Sequence, residues 1–114
     1  MNSKTFQFEK ELSWQDADLG IQRKIYGYDE QVMMVNVKFE AGAIGKMQCH
    51  PHNQVTYVES GVFDMTIGDE TKRIKTGDGY YVKPHVMHGV PGTGQGVLID
   101  VFRPVHEDFL ITEE

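Results

Sequence analysis

Residues 54–67 read Gln-Val-Thr-Tyr-Val-Glu-Ser-Gly-Val-Phe-Asp-Met-Thr-Ile. In the second half of this stretch Phe63, Met65 and Ile67 alternate with polar residues. A period of two is typical of a β-strand with one buried face. Ser60-Gly61 interrupts the stretch and predicts a tight turn between two strands. The segment therefore favours a fold built from short antiparallel strands.

Further runs of the same kind extend in both directions along the chain. We expect additional strands at residues 22–28, 31–40, 46–50, 71–75, 80–82 and 97–102. Twelve glycines and four prolines separate the runs and predict turns. Residues 91–96 are expected to form a loop, and residues 106–111 a short helix or coil. About eight short strands joined by turns predict an all-β sandwich or barrel, and 114 residues fit one domain, 1–114.

The strand predicted at residues 97–102 has two apolar faces. One face carries Val97, Ile99 and Val101, and the other carries Leu98, Asp100 and Phe102. In a closed barrel one face lines the lumen, and the other meets a second sheet or a second subunit. We therefore expect a homodimer. Burial of Asp100 among apolar neighbours is unfavourable unless the carboxylate is paired or functional.

Composition and charge exclude several classes of protein. The formal net charge is −6 and the basic residues are scattered, so the basic patch of a nucleic-acid binder is missing. No run approaches the roughly 20 apolar residues of a transmembrane helix, so no membrane role is expected. Residues 1–7 show no leader pattern. Cys49 is the only cysteine, which excludes an internal disulfide and is compatible with a cytoplasmic location.

Four of the five histidines lie in two segments, residues 45–54 and 84–89. On an extended strand Gln48, His50 and His52 project to one face. Imidazole suits divalent first-row metals, although closely spaced histidines also occur on exposed loops. His85 and His88 cannot share a face of one strand, so at most one of them is expected to be a ligand. Spacing alone thus leaves a metal site and an exposed loop both open.

These segments resemble the cupin family. Residues 45–61 resemble its first motif, with a His-x-His pair, a later Gln and a closing glycine. Residues 77–89 resemble its second motif, with a glycine, a proline and a final histidine. The chain is most similar to the small cupins of pectin and alginate breakdown, which linearise unsaturated uronates. That likeness covers about Trp14 to Leu110 and implies a double-stranded β-helix, or jelly-roll barrel.

The resemblance implies a divalent metal, with Ni, Zn, Mn and Fe as candidates. Its ligands would be Gln48, His50, Gln54 and His88. The family usually has histidine where this chain has Gln48, and a neutral amide oxygen is a poorer ligand for such metals. Weaker metal retention than in relatives is therefore expected. In an alternative register, His52 replaces Gln48 as a ligand.

The resemblance also implies an isomerase-like or tautomerase-like enzyme acting on an anionic sugar. Asp100 and Phe102 would be catalytic residues, with Asp100 as acid and base and Phe102 shaping the pocket. The family has an arginine four residues after the phenylalanine, where this chain has His106. His106 or Arg103 would then face the substrate carboxylate, although a histidine cannot copy the two-pronged grip of a guanidinium.

Two other functions remain open at this point. Gln48 in place of histidine favours a non-catalytic small-molecule-binding cupin with a weakened metal site. A metal-dependent dioxygenase would typically need two histidines and a carboxylate around iron. The sequence supplies that carboxylate only if Glu59 or Asp100 reaches the metal.

Overall fold

Antiparallel strands dominate the computed structural model, which describes residues 1–110. The strands are β1 (Gln15–Asp18), β2 (Ile21–Tyr28), β3 (Met33–Phe39), β4 (Gly45–Gln48), β5 (Asn53–Ile67), β6 (Glu70–Lys75), β7 (Gly79–Val82), β8 (His88–Val90) and β9 (Gly94–Arg103). They join one nine-stranded sheet in the order β1-β2-β3-β9-β5-β8-β4, with β6 and β7 also paired to β5. Every pairing is antiparallel, so the predicted all-β class is confirmed.

Strand β5 runs through both halves of the barrel. Its first half pairs with β7 and β9, and its second half pairs with β6, β9 and β8. The predicted tight turn at Ser60-Gly61 is wrong, because the strand continues through it with a register shift between Val58 and Ser60. Gly61 has a φ of +94°, and a Cβ there would collide with the backbone oxygen of Gln95. The glycine therefore permits the close approach of β5 and β9 directly after the bulge.

Other differences from the sequence prediction concern short elements. β1 has the sequence Gln-Asp-Ala-Asp and β8 has only three residues, so neither shows a periodic apolar pattern. β9 begins at Gly94, inside the predicted loop at residues 91–96. β4 ends at Gln48 rather than His50. Pairing with a neighbouring strand defines these elements, and that information is not local to the sequence.

The only helical segments among the described residues are two 3-10 helices, at Glu9–Glu11 and Glu107–Leu110. The second helix agrees with the expectation of a short helix or coil, whose last residue, Ile111, lies outside the described range. Within residues 1–110 no helix is long and apolar enough to cross a membrane.

Two apolar clusters fill the barrel. The larger one contains Phe63, Val58 and Leu98, with the Phe39 and Phe63 rings packed edge to face at 5.3 Å between centroids. The second contains Met33, Val35, Phe102 and Val105. A cavity opens inside the barrel, bordered by residues of both clusters, and the polar side chains gather around it.

Candidate active site

The cavity has a volume of about 280 Å³. Seven of the site residues predicted from the sequence line it, namely Gln48, His50, Gln54, His88, Asp100, Phe102 and His106. Residues from β4, β5, β8 and β9 thus meet at one place, as the two motif segments and the last strand predict. Arg103 does not line the cavity, because it has the opposite parity to Phe102 on β9 and is exposed.

His50 has a defined tautomer in this arrangement. Its Nδ1 lies 3.2 Å from the backbone oxygen of His52 and donates to it. The Nε2 atom therefore carries a lone pair, and it faces the side-chain oxygen of Gln54 at 3.0 Å. Two acceptor atoms that face each other at this distance are suited to share a cation.

His88 is held in the same way. Its Nδ1 donates to the backbone oxygen of Val86 at 3.0 Å, which leaves Nε2 as a lone-pair atom. That Nε2 is buried and has no hydrogen-bond partner among the described residues. The ring centroids of His50 and His88 lie 4.9 Å apart. Backbone acceptors that orient imidazole rings are common behind metal-ligating histidines.

Gln48 completes the predicted ligand set from the neighbouring strand. It lies opposite His88 in the β4–β8 register, lines the cavity and is exposed. In residues 1–110 no group of three or more His, Cys, Asp or Glu side chains converges to hold a metal. Any metal centre here depends on amide oxygens together with two imidazoles. The orphaned Nε2 of His88 and the Nε2 of His50 fit a divalent cation, in an uncharged shell.

His52 lies behind His50 rather than on the cavity wall. Its Nε2 donates to the backbone oxygen of Val105 at 3.1 Å, and its Nδ1 is buried without a partner among the described residues. The ring stacks flat on His106, with centroids 4.5 Å apart. This geometry favours Gln48 over His52 as the additional ligand.

His106 is the middle layer of a stack of flat groups. One face covers His52, and the other covers Phe109 at 3.9 Å between centroids. The guanidinium carbon of Arg23 lies 3.9 Å from the centroid of the Phe109 ring. Since His106 already covers one face of Phe109, Arg23 covers the other. Burial, and then the neighbouring His52 and His50, lower the pKa of His106 to about 4, so the ring is neutral near pH 7.

Asp100 is buried at the end of a hydrogen-bond chain. The Gln54 amide donates to the Thr56 hydroxyl at 3.0 Å, and that hydroxyl donates to an Asp100 carboxylate oxygen at 2.7 Å. Burial raises the pKa of Asp100 to about 6, although the bonds from Thr56 and Gln54 oppose the rise. Tyr80 also lines the cavity, and burial together with the charge of Asp100 raises the pKa of its hydroxyl.

Two residues at the site, Arg23 and Thr56, are missing from the sequence prediction. Thr56 sits on β5 between Asp100 of β9 and Tyr80 of β7. Arg23 lines the cavity from β2. The spacing Ile21-x-Arg23-x-Ile25 contains the signal, since it places a charged residue in an inward apolar row.

Comparisons with known proteins agree with the fold and with the resemblance of the sequence. A family model described as "Cupin domain" matches residues 35–102. The chain is 42% identical over 104 residues to the pectin degradation protein KdgF of Dickeya dadantii (strain 3937), covering 90% of this chain and 94% of that protein.

Two solved structures are similar over nearly the whole chain. An RmlC-like cupin from Shewanella frigidimarina NCIMB 400 has a TM-score of 0.89 and 38% identity, covering 95% of this chain and 97% of that one. KdgF from Halomonas sp. has a TM-score of 0.85 and 37% identity, covering 94% of this chain and 99% of that one. These proteins therefore share the fold of this chain, a barrel of antiparallel strands.

Proposed function

Because the chain belongs to the cupin family and, within it, to the family of the pectin degradation protein KdgF, we propose that it linearises 4,5-unsaturated monouronates. Such a sugar is a cyclic hemiacetal whose ring oxygen is attached to a C4=C5 double bond next to the carboxylate. Opening the ring removes the C1 hydroxyl proton, breaks the C1–O5 bond and leaves an aldehyde at C1 and an enolate at C5. Delivery of that proton to C4 then gives the ketone at C5, so the whole change is an isomerisation.

Asp100 is the acid and base in this proposal. As a carboxylate it removes the proton of the C1 hydroxyl, and the C1–O5 bond breaks as the aldehyde forms. As a carboxylic acid it then delivers that proton to C4, and the enolate becomes a ketone. A pKa near 6 suits both directions of transfer near neutral pH. Phe102, which lines the cavity next to Asp100 on the same face of β9, shapes the pocket and excludes water.

Gln48, His50, Gln54 and His88 are the residues that would hold a divalent cation, with Ni, Zn, Mn and Fe as candidates. When bound, such an ion supplies Lewis acidity that orients and polarises the sugar oxygens. The chain's own contribution is the orientation of the two imidazoles through the backbone oxygens of His52 and Val86.

One observation carries the proposal: a buried, hydrogen-bonded carboxyl group shares a cavity with two imidazoles whose Nε2 atoms face inward as acceptors. Gln54 connects the two parts, because its oxygen faces His50 and its amide nitrogen donates to Thr56, which in turn donates to Asp100. A polar chain of this kind inside an apolar barrel is unfavourable unless every member is satisfied or serves a reaction.

The direct test mixes the protein with a freshly generated 4,5-unsaturated monouronate and follows the loss of ultraviolet absorbance of the conjugated double bond. We expect acceleration over buffer when one of the four candidate ions is supplied. Product identification by NMR should show an open-chain keto aldehyde of unchanged mass. Absence of acceleration with every one of these ions would remove the enzymatic proposal.

A non-catalytic binding role is the second candidate, and the exposed amide of Gln48 is the observation that favours it. A protein of this kind would bind the uronate without consuming it. The absorbance assay combined with calorimetry distinguishes the two functions. Saturable binding of the uronate without loss of absorbance would favour the non-catalytic binding role. The dioxygenase hypothesis has less support, because Glu59 is exposed away from the cavity and Asp100 is bonded to Thr56.

We propose that the protein forms a homodimer through the outer face of the sheet. Val55, Tyr57 and Tyr81 are 55%, 51% and 52% exposed there. Val55 lies opposite Tyr81 and Val101 in register, so these side chains form a continuous apolar surface. Light scattering should give twice the mass of 13.0 kDa. Tyr57→Glu should give the monomer mass, whereas a monomeric parent protein would contradict the proposal.

We propose further that residues 1–114 form a single domain acting in the cytoplasm. All described strands join one sheet, which supports a single folding unit. Cys49 is an exposed free thiol, and a reducing compartment keeps such a group from forming disulfides between copies. One cooperative unfolding transition would support the first statement, and cell fractionation tests the second.

A further inference from the structure

Arg23 occupies an unusual position for a charged residue. On β2 it lies between Ile21 and Ile25 on the inward face, and it lines the same cavity as His50 and Asp100. Burial lowers the pKa of its guanidinium from the ordinary range, yet a guanidinium keeps its charge at any physiological pH. A half-buried permanent cation on an apolar barrel wall is unfavourable without a compensating anion.

The protein supplies no such anion within the described residues. The Arg23 Nε–H donates to the side-chain oxygen of Gln15 at 3.3 Å, and its terminal nitrogens donate no hydrogen bond to residues 1–110. No ion pair involves Arg23 in that range. Asp18, a second carboxylate that lines the cavity, pairs with Lys46 at 3.6 Å instead. The carboxylate of Asp100 accepts from Thr56 instead.

The guanidinium is nevertheless held in place. Its central carbon lies 3.9 Å from the centroid of the Phe109 ring, Phe109 is stacked on His106, and His106 is stacked on His52. Stacking on an aromatic face leaves the in-plane N–H groups of a guanidinium available for a planar partner. Carboxylates are planar partners that accept two parallel hydrogen bonds from this fork.

We propose that Arg23 binds the carboxylate of the uronate substrate and so determines specificity for acidic over neutral sugars; this rests on the proposed function. Arg23 takes the role that the resemblance would give to an arginine at the position of His106. His106 is a neutral layer in the stack and supports the arginine through Phe109. Arg103 is exposed outside the cavity, and Lys46 is largely solvated at the rim.

The experiment compares Arg23→Gln and Arg23→Lys with the wild-type protein. Arg73→Gln is the matched control, because Arg73 is an exposed residue of β6 outside the cavity. Calorimetry measures binding of D-galacturonate and of D-galactose, its uncharged counterpart, and the absorbance assay gives KM and kcat on the unsaturated monouronate. Thermal unfolding checks that each variant is folded.

We expect Arg23→Gln to weaken D-galacturonate binding and to raise KM, each by tenfold or more, with a smaller change in kcat. The affinity and KM of Arg23→Lys should lie between those of the wild-type protein and Arg23→Gln, because an ammonium group keeps the charge but cannot donate two parallel hydrogen bonds to a carboxylate. D-galactose binding should be weak and unchanged in every variant. The Arg73→Gln control should match wild type in all readouts.

The outcomes separate this inference from the proposed function. Wild-type turnover with an unchanged KM in folded Arg23→Gln would overturn the role of Arg23 and leave the function standing. Arg23-dependent galacturonate binding without turnover would support Arg23 and overturn the function. Arg103→Gln is measured in the same assay, and a larger KM effect in it than in Arg23→Gln would overturn the inference. A wild-type protein that binds neither sugar would also overturn it.

Discussion

The two halves of the barrel interior differ in composition, although the same strands build both. In the core half, Val58 and Phe63 of β5 pack against Leu98 of β9. In the site half, the same strands present polar groups inward, among them Gln54 and Thr56 of β5 and Asp100 of β9. The core half has apolar contacts and no hydrogen bonds to satisfy, whereas the site half has a buried carboxyl group with a raised pKa. The difference indicates that one half contributes mainly apolar packing, whereas the other carries the candidate active site.

The largest expected effect breaks the core half. Phe63 is fully buried, and Phe63→Ala should lower the free energy of unfolding by about 3–5 kcal/mol, because it removes a large apolar side chain and leaves a void. Urea unfolding measures the change. Leu19→Ala, at a side chain that is 90% exposed, is the control and should change stability little. If Phe63→Ala were as stable as the control, the core would lie elsewhere.

The next prediction concerns the site half, where substitution of Asp100 should raise the free energy of unfolding instead of lowering it. The folded state raises the pKa of Asp100 from 3.8 to about 6, so ionisation of Asp100 disfavours the folded protein. This penalty is absent below about pH 4, grows as the pH rises to about 6 and is constant above that value. Asp100→Asn cannot ionise, so its stability relative to wild type should increase over that range by about 3 kcal/mol.

Urea unfolding of both proteins at pH 4 and pH 8, in the presence of a chelator, measures that increase. All other titrating groups cancel in the difference between the two proteins. Asp69→Asn, in the exposed turn between β5 and β6, is the matched control variant. A difference between Asp100→Asn and wild type that is the same at both pH values would contradict the raised pKa.

A smaller effect tests the candidate metal site. Gln48→His should tighten binding of Zn or Ni by about tenfold, because it replaces an amide oxygen with an imidazole that these metals prefer. Competition titration against a chromophoric chelator measures the affinity. Gln95→His adds a histidine at an exposed position of β9 outside the cavity and is the matched control. Equal affinities for the two variants would place the metal away from residue 48.

Much of the difference between the core half and the site half is predictable from the sequence, because alternation of apolar and polar residues identifies the strands and the residues that share a face. The inward orientation of Asp100 and Phe102 follows from the period of two along β9, and the structure places both on the cavity wall. His50 and His88 converge as the two motif segments predict. Local pattern thus predicts the long strands and most of the candidate site.

The remaining features depend on tertiary contacts. Ser60-Gly61 has the composition of a turn, but both residues pair with β9, and the strand continues past a bulge between Val58 and Ser60. His52 shares its parity with His50, but β4 ends at Gln48, so strand parity no longer applies beyond it. Arg23 is easily read as a solvated charge, since its burial depends on Phe109, which lies 86 positions later in the chain. The local spacing Ile21-x-Arg23-x-Ile25 indicates an inward position for Arg23, but a contact of such range leaves no local signal of the partner.

We propose that Asp100 moves the protons of the reaction, and substitution of Asp100 tests this role most directly. With metal supplied, kcat of Asp100→Asn on the unsaturated monouronate should fall by about 10²–10⁴, the range expected for loss of a general acid and base. Asp69→Asn should keep the wild-type kcat, and the folded state of both variants should be verified. A folded, metal-loaded Asp100→Asn protein that turns over at the wild-type rate would contradict the account.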